Sequence, residues 1–277
     1  MTESKTILIT GCSSGIGYST AIYLKSRGHR VICSARKMED VDRLRLEGFE
    51  CLQLDLADSA SIKAAVTGLI ALTDGRIDAL FNNGAFGQPG AVEDLSREVL
   101  RQQFETNFFG THELTNLLLP LMRQQGHGRI IYNSSVLGFV AMKFRGAYNA
   151  SKFALEGLAD TLRLEVRGSG IHIVLIEPGP IESRFRQNAF ALYQKNIDSE
   201  HSFHKGTYRA MEARLQKPGP AAPFTLPAIA VAEKVALALE SKRPNIRYPV
   251  TVPTRLFAWL KRLLPTAWLD KLLVSVE

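Results

Sequence analysis

TILITGCSSGIG, residues 6–17, is the stretch that decides the fold. It starts as a short apolar strand at Thr6 to Ile9, turns at a segment with three glycines, and opens a helical run from about Gly15 to Arg27. Arg30 to Ser34 follows as a second apolar strand. A strand, a glycine-rich turn, a helix and a further strand together predict a βαβ unit with a right-handed crossover.

The same alternation of strands and helices continues along the chain. Short, wholly apolar strands separated by amphipathic helices are typical of a parallel sheet that is covered on both faces. The further predicted strands are residues 50–54, 78–81, 128–133 and 171–176, and the further predicted helices are residues 59–72, 96–124 and 147–167. Right-handed crossovers then favour one α/β domain with a Rossmann-type, doubly wound parallel sheet.

The pattern changes after Pro178. Residues 184–226 carry six aromatic side chains among many polar ones and no strand-like run, which predicts a loop that covers a substrate. A helix is predicted near Pro227 to Ser241 and a short strand at Ile246 to Val250. We therefore predict a single domain, 1–277, made of a cofactor-binding and catalytic core at 5–183, a substrate loop at 184–226 and C-terminal helices at 227–277.

The closing segment, TRLFAWLKRLLPTAWLDKLL at residues 254–273, is apolar, basic and broken by Pro265. A segment with these properties can lie on a membrane surface. The alternative is a terminal helix pair that packs on the core or against a second subunit, because helical apolar stripes usually mark cores. The sequence favours the second interpretation and leaves weak membrane association open.

Composition limits the classes of function. The chain has 277 residues and no long apolar run behind a basic start, so we predict neither a signal peptide nor a transmembrane helix and expect a cytoplasmic enzyme. Cys12, Cys33 and Cys51 lack metal-ligand spacing and lie in or beside predicted strands, which predicts buried thiols, with no disulfides and no metal. The net charge of +7 could indicate a nucleic-acid partner, but its Lys and Arg residues are scattered except in the C-terminal fifth, and an anionic small ligand explains the charge as well, so we expect no nucleic acid.

The glycine turn is a candidate dinucleotide site. A pyrophosphate can approach backbone amides and a helix N-terminus only where side chains are absent, and the flanking strand and helix supply the context that the motif requires. The alternative is a plain tight turn. The residues predicted to bind the cofactor here are Gly11, Ser13, Ser14, Gly15, Ile16 and Gly17.

The ends of the second and third strands bear on the choice of cofactor. Arg36 lies 19 residues beyond Gly17, where dinucleotide sites carry either an acidic residue for the ribose hydroxyls or an arginine for a 2′-phosphate. No carboxylate occurs there before Glu39, so NADP(H) is favoured over NAD(H); the alternative is a solvated surface arginine. Asp55, with Leu56 beside it, either accepts a hydrogen bond from the adenine amino group or caps a turn.

Tyr148 and Lys152 are four residues apart on a predicted helix and project from one face. An isolated tyrosine has a pKa near ~10, and an adjacent ammonium together with an oxidised nicotinamide lowers it, so that Tyr148 becomes a usable general acid or base. Ser135 ends a predicted strand and offers a hydroxyl for a substrate carbonyl. Taken alone, this Tyr–Lys spacing is also common as a plain helix surface pair.

Together the motifs resemble the short-chain dehydrogenase/reductase family in their order and spacing. The glycine turn, NNGA at 82–85, Ser135, the Tyr148–Lys152 pair and PGPIES at 178–183 carry the likeness, which covers residues 5–183 firmly. The resemblance implies an NAD(P)-dependent oxidoreductase. Family members commonly pair through their two long helices, so it also implies a homo-oligomer.

The resemblance implies roles for single residues. Catalysis would fall to Asn107, Ser135, Tyr148 and Lys152, with Asn107 holding Lys152 in a water-linked proton relay and Lys152 also holding the nicotinamide ribose. Ser183 stands where a threonine commonly binds the nicotinamide amide. The other cofactor residues carried over are Asn82, Asn83, Gly84, Tyr148, Lys152, Pro178, Gly179 and Ile181.

The order of residues 82–85 departs from the family pattern. The family usually has Asn-Asn-Ala-Gly at this strand end, whereas here Gly84 precedes Ala85. We predict that Gly84 lets the backbone approach the cofactor ribose and that the methyl group of Ala85 points away. A plain turn is the simpler interpretation, because Asn and Gly tolerate positive φ.

Within the family, the sequence looks most like bacterial NADP-dependent aldehyde reductases that are similar to 17β-hydroxysteroid and retinol dehydrogenases. The expected reaction is NADPH-dependent reduction of an aldehyde or ketone on a small apolar substrate. The alternatives are NAD(P)-dependent oxidation of a hydroxysteroid or retinol-like alcohol, and a non-catalytic cofactor-binding sensor. The predicted substrate residues are Phe86, Ser135, Leu137, Phe144, Tyr148 and Phe185, with Phe139, Met142 and Phe190 as further apolar candidates.

Overall fold

A computed structural model describes residues 3–220 and 222–275; residues 1–2, 221 and 276–277 of the predicted domain lie outside the described residues. The strands are β1 Thr6–Ile9, β2 Arg30–Ala35, β3 Glu50–Gln53, β4 Ala79–Asn82, β5 Gly128–Asn133, β6 Ile171–Glu177 and β7 Arg247–Pro249. The helices are α1 Gly15–Ser26, α2 Met38–Leu46, α3 Ser59–Thr73, α4 Arg97–Phe104, α5 Thr111–Gln125, α6 Gly146–Glu165, α7 Phe185–Asn196, α8 Lys205–Gln216, α9 Ile229–Glu240, α10 Val252–Leu263 and α11 Thr266–Ser275.

The strands form one parallel sheet of seven strands in the order β3-β2-β1-β4-β5-β6-β7. The chain first builds outward from β1 to β3 and then returns to pair β4 with the other side of β1. The carboxyl ends of β1 and β4 therefore meet at a topological switch point, where open α/β sheets bind ligands. The predicted Rossmann-type, doubly wound sheet in a single domain is confirmed.

Two apolar cores flank the sheet because successive residues of a strand point to opposite faces. Ile7 and Ile9 of β1 pack on one face with Leu24 of α1 and Val231 of α9. Leu8 packs on the other face with side chains of α3, α5 and α6, which include Leu69, Leu118 and Leu155. Burial on both faces explains why the strands are wholly apolar in sequence.

Two helical regions differ from the sequence-based expectation. The sequence predicts no helix at 38–46, whereas α2 lies there and buries only Val41 and Leu44. The sequence predicts a loop at 184–226, which is wrong, because α7 and α8 occupy most of that segment. These two helices bury few side chains, and so their apolar period is weak.

The predicted long helix at 96–124 is divided by a π-helical segment. α4 ends at Phe104, residues Glu105–Gly110 form the π-helix, and α5 continues from Thr111. Segments of this kind within α-helices are frequent at functional sites. This one carries Asn107, one of the predicted catalytic residues.

The C-terminal helices pack on the segment that follows Ser135. Val140, Phe257 of α10 and Leu269 of α11 form a small core with Phe139 at its edge, as the core-packing interpretation predicts. The three cysteines are free and buried, as predicted. Within the described ranges, no helix has the length and apolarity needed to cross a membrane, and no group of His, Cys, Asp and Glu side chains could hold a metal ion.

Candidate active site

The glycine turn leads β1 tightly into α1. Gly11 and Gly15 have φ values of +71° and +60°, which favour glycine. A Cβ atom on Gly17 would lie 2.7 Å from the side-chain nitrogen of Asn83. The glycines are therefore required by the packing of the turn itself, before any ligand is considered.

The N-terminus of α1 has no side-chain cap. Ser14 stands at the N-cap but makes no side-chain hydrogen bond to the first turn, and that turn holds no acidic residue. By contrast, Asp58, Ser96 and Thr251 cap α3, α4 and α10 with their side chains. Free amide groups behind a glycine turn suit a pyrophosphate, so the residues present fit a dinucleotide cofactor.

The strand end at Asn82–Gly84 is built into the sheet. The side chain of Asn83 donates to the carbonyl oxygen of Thr10 at 2.8 Å and accepts from the side chain of Asn133 at 2.9 Å. Asn82 donates to the hydroxyl of Thr115 at 3.0 Å. Asn83 therefore links the ends of β1, β4 and β5, which line the switch point.

Thr10 is a structural partner that the sequence analysis does not single out. Its hydroxyl accepts hydrogen bonds from the backbone amides of Asn83 at 2.9 Å and Gly84 at 2.7 Å. A Cβ atom on Gly84 would lie 2.9 Å from Leu56 and 3.2 Å from that hydroxyl. The position of the glycine in NNGA thus has a cause within the chain, and its predicted approach to a ribose stays a prediction.

Arg36 and Asp55 line one cleft of about 570 Å³ beside the carboxyl end of the sheet. The Arg36 side chain is exposed and forms no ion pair within the part of the chain that is described. One carboxylate oxygen of Asp55 accepts from the backbone amide of Ala57 at 2.9 Å. Asp55 therefore caps a turn, which was one of its two interpretations, and its adenine contact stays a prediction.

Tyr148 and Lys152 of α6 lie with Ser135 beside the carboxyl end of β5. Tyr148 and Lys152 lie one turn apart on α6, and the Lys152 ammonium is 5.7 Å from the centroid of the tyrosine ring. Lys152 donates to the carbonyl oxygen of Asn133 at 2.6 Å. The Ser135 hydroxyl accepts from the backbone amide of Leu137 at 3.1 Å and so is held at the end of β5.

Burial shifts the pKa values of Tyr148 and Lys152 in opposite directions. Burial raises the pKa of Tyr148 to about 12, against a hydrogen bond from Ser135 and the charge of Arg145, which lower it. Burial lowers the pKa of Lys152 to about 8, and the carboxylate of Glu156 opposes that shift. Tyr148 therefore keeps its proton at neutral pH, and its phenolate needs added positive charge to form.

Asn107 links the backbone of Phe86 to α6 through its side-chain hydrogen bonds. Its side chain donates to the carbonyl oxygen of Phe86 at 2.9 Å and to the Ser151 hydroxyl at 3.2 Å, and accepts from the backbone amide of Phe86 at 3.1 Å. These bonds fix the residues that follow β4. The water-linked relay between Asn107 and Lys152 stays a prediction.

The segment after β6 contacts both the Ser135 segment and the glycine turn. The carbonyl oxygen of Pro178 accepts from the backbone amide of Val136 at 2.8 Å, which joins it to the Ser135 segment. Ile181 pairs with Leu226 in an isolated bridge. A Cβ atom on Gly15 would lie 3.1 Å from the Cβ atom of Ser183. The predicted residues 178–183 therefore reach the glycine turn, although they are far from it in sequence.

The predicted substrate residues separate into two groups. Phe185 of α7 lies against Tyr148, with ring centroids 5.3 Å apart, and Leu137 is buried beside Ser135. Phe144 packs instead against Tyr208 of α8 at 5.5 Å. Phe190 stacks on Tyr193, and Phe139 belongs to the small C-terminal core. Only the first group lies around the tyrosine, and the backbone at Gly87, next to Phe86, also lies beside Phe185 and Tyr148.

A buried charge cluster behind the site is absent from the sequence-based list. Glu156, one turn beyond Lys152, accepts from the Ser134 hydroxyl and from Arg247. Arg247 also donates to Glu177 at 2.7 Å and Asp160 at 2.7 Å. Burial raises the pKa values of both glutamates. In the sequence, only the i, i+4 spacing of Lys152 and Glu156 indicates that Glu156 lies close to the candidate site.

The chain is similar to known oxidoreductases in both sequence and structure. A family model described as short chain dehydrogenase matches residues 5–194. The chain is 45% identical over 269 residues to an uncharacterised oxidoreductase of Escherichia coli, YbbO. The matched region covers 97% of this chain and 94% of that protein. It is 33% identical to human 17-beta-hydroxysteroid dehydrogenase type 1, over 88% of this chain and 77% of that protein. A variant of actinorhodin polyketide ketoreductase with NADPH has a TM-score of 0.72 and 27% identity, over 90% of this chain and 97% of that one.

Proposed function

Because the chain belongs to the short-chain dehydrogenase family, we propose that it is an NADP(H)-dependent oxidoreductase that reduces an aldehyde or ketone on an apolar molecule. The observation that carries the proposal is the meeting of Ser135, Tyr148 and Lys152 under the ring of Phe185. A proton donor, a charge and a hydroxyl converge there beside an apolar wall.

The side chains divide the chemistry among them. Ser135 holds the carbonyl oxygen of the substrate, and the hydroxyl of Tyr148 donates its proton to that oxygen. Lys152 stabilises the phenolate that remains, because its ammonium lies behind the ring. The nicotinamide cofactor, when bound, supplies the hydride. The raised pKa of Tyr148 suits this direction, since the residue keeps a proton to give at neutral pH.

The preference for NADP(H) rests on Arg36. Its exposed guanidinium lines the cleft beside Asp55, and its planar fork matches a phosphate group. The uncapped N-terminus of α1 would take the pyrophosphate. The ketoreductase described with NADPH supports this preference.

A substitution at Tyr148 tests the chemistry. Tyr148→Phe removes the proton donor and leaves the ring, so we expect turnover to fall at least ~100-fold. NADPH binding, followed by the change in cofactor fluorescence, should stay within about twofold of wild type and thereby show a folded site. Near wild-type turnover in a variant that binds NADPH would refute the proposed mechanism.

A substitution at Arg36 tests the cofactor. Arg36→Ala should weaken NADP(H) binding by about 10- to 100-fold, since a charge-assisted pair with phosphate contributes about 1.5–3 kcal/mol. NAD(H) binding should change little. Equal losses for the two cofactors would remove the reason for choosing NADP(H).

A second candidate is the oxidation of a hydroxysteroid or a similar apolar alcohol. The 33% identity to human 17-beta-hydroxysteroid dehydrogenase type 1 favours it. A screen of aliphatic aldehydes, aromatic aldehydes, steroids and retinal with NADPH, and of the matching alcohols with NADP and NAD, separates the two candidates. A protein that binds cofactor and turns over none of these compounds would instead favour the non-catalytic sensor.

A further inference from the structure

α10 has two apolar faces, of which only one packs on the protein. Phe257 and Leu260, with Leu264 directly after the helix, face the small C-terminal core. The other face carries a stripe of exposed side chains at i, i+4, i+7 and i+11, which lie on one side of a helix. They are Val252, Leu256, Trp259 and Leu263, with exposed fractions of 57%, 53%, 66% and 69%.

Basic residues border this stripe. Arg255 and Arg262 are exposed and seven residues apart, so they lie along the same edge of α10. Lys261, the third cation of α10, lies 5.0 Å from the ring of Phe153 on α6. The sequence of α10, VPTRLFAWLKRL, has no carboxylate. On α11, Trp268 is exposed in the same way and Lys271 is accompanied by Asp270.

The charge of α10 discriminates between the occupants that an apolar stripe could take. A second copy, docked through the same stripe, would place this helix against its own equivalent in a symmetric pair. Arg255 and Arg262 would then meet only further cations on α10. An anionic lipid surface complements both the apolar stripe and its basic edge.

We propose that α10 docks this protein on anionic membrane surfaces, with the stripe inserted among the lipids and Arg255 and Arg262 at the headgroups. The inner face of the same helix packs on Val136 and Phe139, beside Ser135. The lipid surface would thus adjoin the segment proposed to hold the substrate. Docking itself does not depend on the proposed reaction.

Vesicle sedimentation of the full chain tests the proposal. We expect binding to vesicles that contain phosphatidylglycerol, at least tenfold tighter than to phosphatidylcholine alone, and a loss of that preference near 1 M salt, where the screening length is about 3 Å. Leu256→Ser with Trp259→Ser should weaken binding at least tenfold. The matched control, Leu46→Ser with Leu237→Ser, removes two other exposed leucines and should change nothing.

Four further readouts complete the test. In a Trp268→Phe background, Trp259 is the remaining tryptophan of the chain, and its emission should shift to the blue with anionic vesicles. Circular dichroism and NADPH binding confirm that each variant is folded. Failure to bind phosphatidylglycerol vesicles, equal binding by both double variants, or a dimer in light scattering that Leu256→Ser with Trp259→Ser dissolves would each overturn the proposal.

Discussion

The hydroxyl of Thr10 explains why a glycine occupies position 84. The hydroxyl accepts hydrogen bonds from two backbone amides just after β4. These bonds hold residue 84 so close that a Cβ atom there would contact both Thr10 and Leu56. Packing at the switch point therefore explains why this chain departs from the usual family order. The sequence predicts a small residue there, but the cause lies in a threonine 74 positions away.

Gly84→Ala should destabilise the protein by about 1–3 kcal/mol, because the added methyl group overpacks a filled site. Urea unfolding measures the change. Gly157→Ala is the matched control, since it lies within α6 and a Cβ atom there meets nothing within 4 Å. That substitution should be neutral or stabilise by up to about 1 kcal/mol. Equal effects at the two positions would contradict the packing argument.

Glu156 acts on the proposed reaction through Lys152. Its carboxylate holds the pKa of Lys152 up against burial, which lowers it to about 8. Glu156→Gln keeps the shape and removes the charge, so Lys152 should lose its proton at lower pH, and the alkaline limb of the kcat/KM profile should move to lower pH. Asp160→Asn, which alters another partner of Arg247, should leave that limb in place. An unmoved limb in Glu156→Gln would exclude this role.

At the scale of elements, the sequence predicts the parts that are apolar on both faces and misses those that bury little. β5 is predicted at its observed bounds, because Gly128–Asn133 is wholly buried. α8 buries Tyr208 alone. A single buried residue produces no helical periodicity of apolar residues, so the sequence does not reveal this helix. The candidate pair Tyr148 and Lys152 is visible from its spacing on α6. Thr10, Asn133 and Arg247 act through contacts with residues far away in sequence and so leave no local pattern.

α7 covers the proposed site through one side chain. Phe185→Ala removes the ring that lies on Tyr148 and should raise KM for apolar carbonyl compounds by about 5- to 30-fold, since the lost burial is worth about 1–2 kcal/mol. The kcat value should change much less. Phe203→Ala, at a 91% exposed ring before α8, is the control and should behave as wild type. A fall in kcat with constant KM would argue against a role in substrate binding.

At the scale of the whole molecule, Lys152 lowers stability. Its pKa of about 8 when folded, against 10.5 for the free side chain, means that burying the ammonium costs about 3 kcal/mol below pH 8. The unfolded chain binds more protons between these two values, so the stability contributed by this group rises with pH across that window. Above pH 10.5 the cost has disappeared.

Lys152→Met should therefore stabilise the protein at pH 7 by about 1–2 kcal/mol, after allowance for the carbonyl oxygen of Asn133 that loses its donor. Urea unfolding at pH 7 and pH 10 measures the difference, which should shrink at the higher pH while activity is lost at both. A variant that is less stable than wild type at pH 7 would contradict the sign of this effect.

The packing of α10 and α11 on the segment after Ser135 has a consequence during biosynthesis. At about 5–20 residues per second, a ribosome needs roughly 7–28 s to pass from Ser135 to the end of α11. During this interval β6 has no partner on its outer edge until β7 has been made, and Val136 and Phe139 lack their full cover until α10 and α11 have been made. The nascent chain thus carries a nearly finished sheet beside an uncovered Ser135 segment, and in this interval we expect it to depend on chaperones.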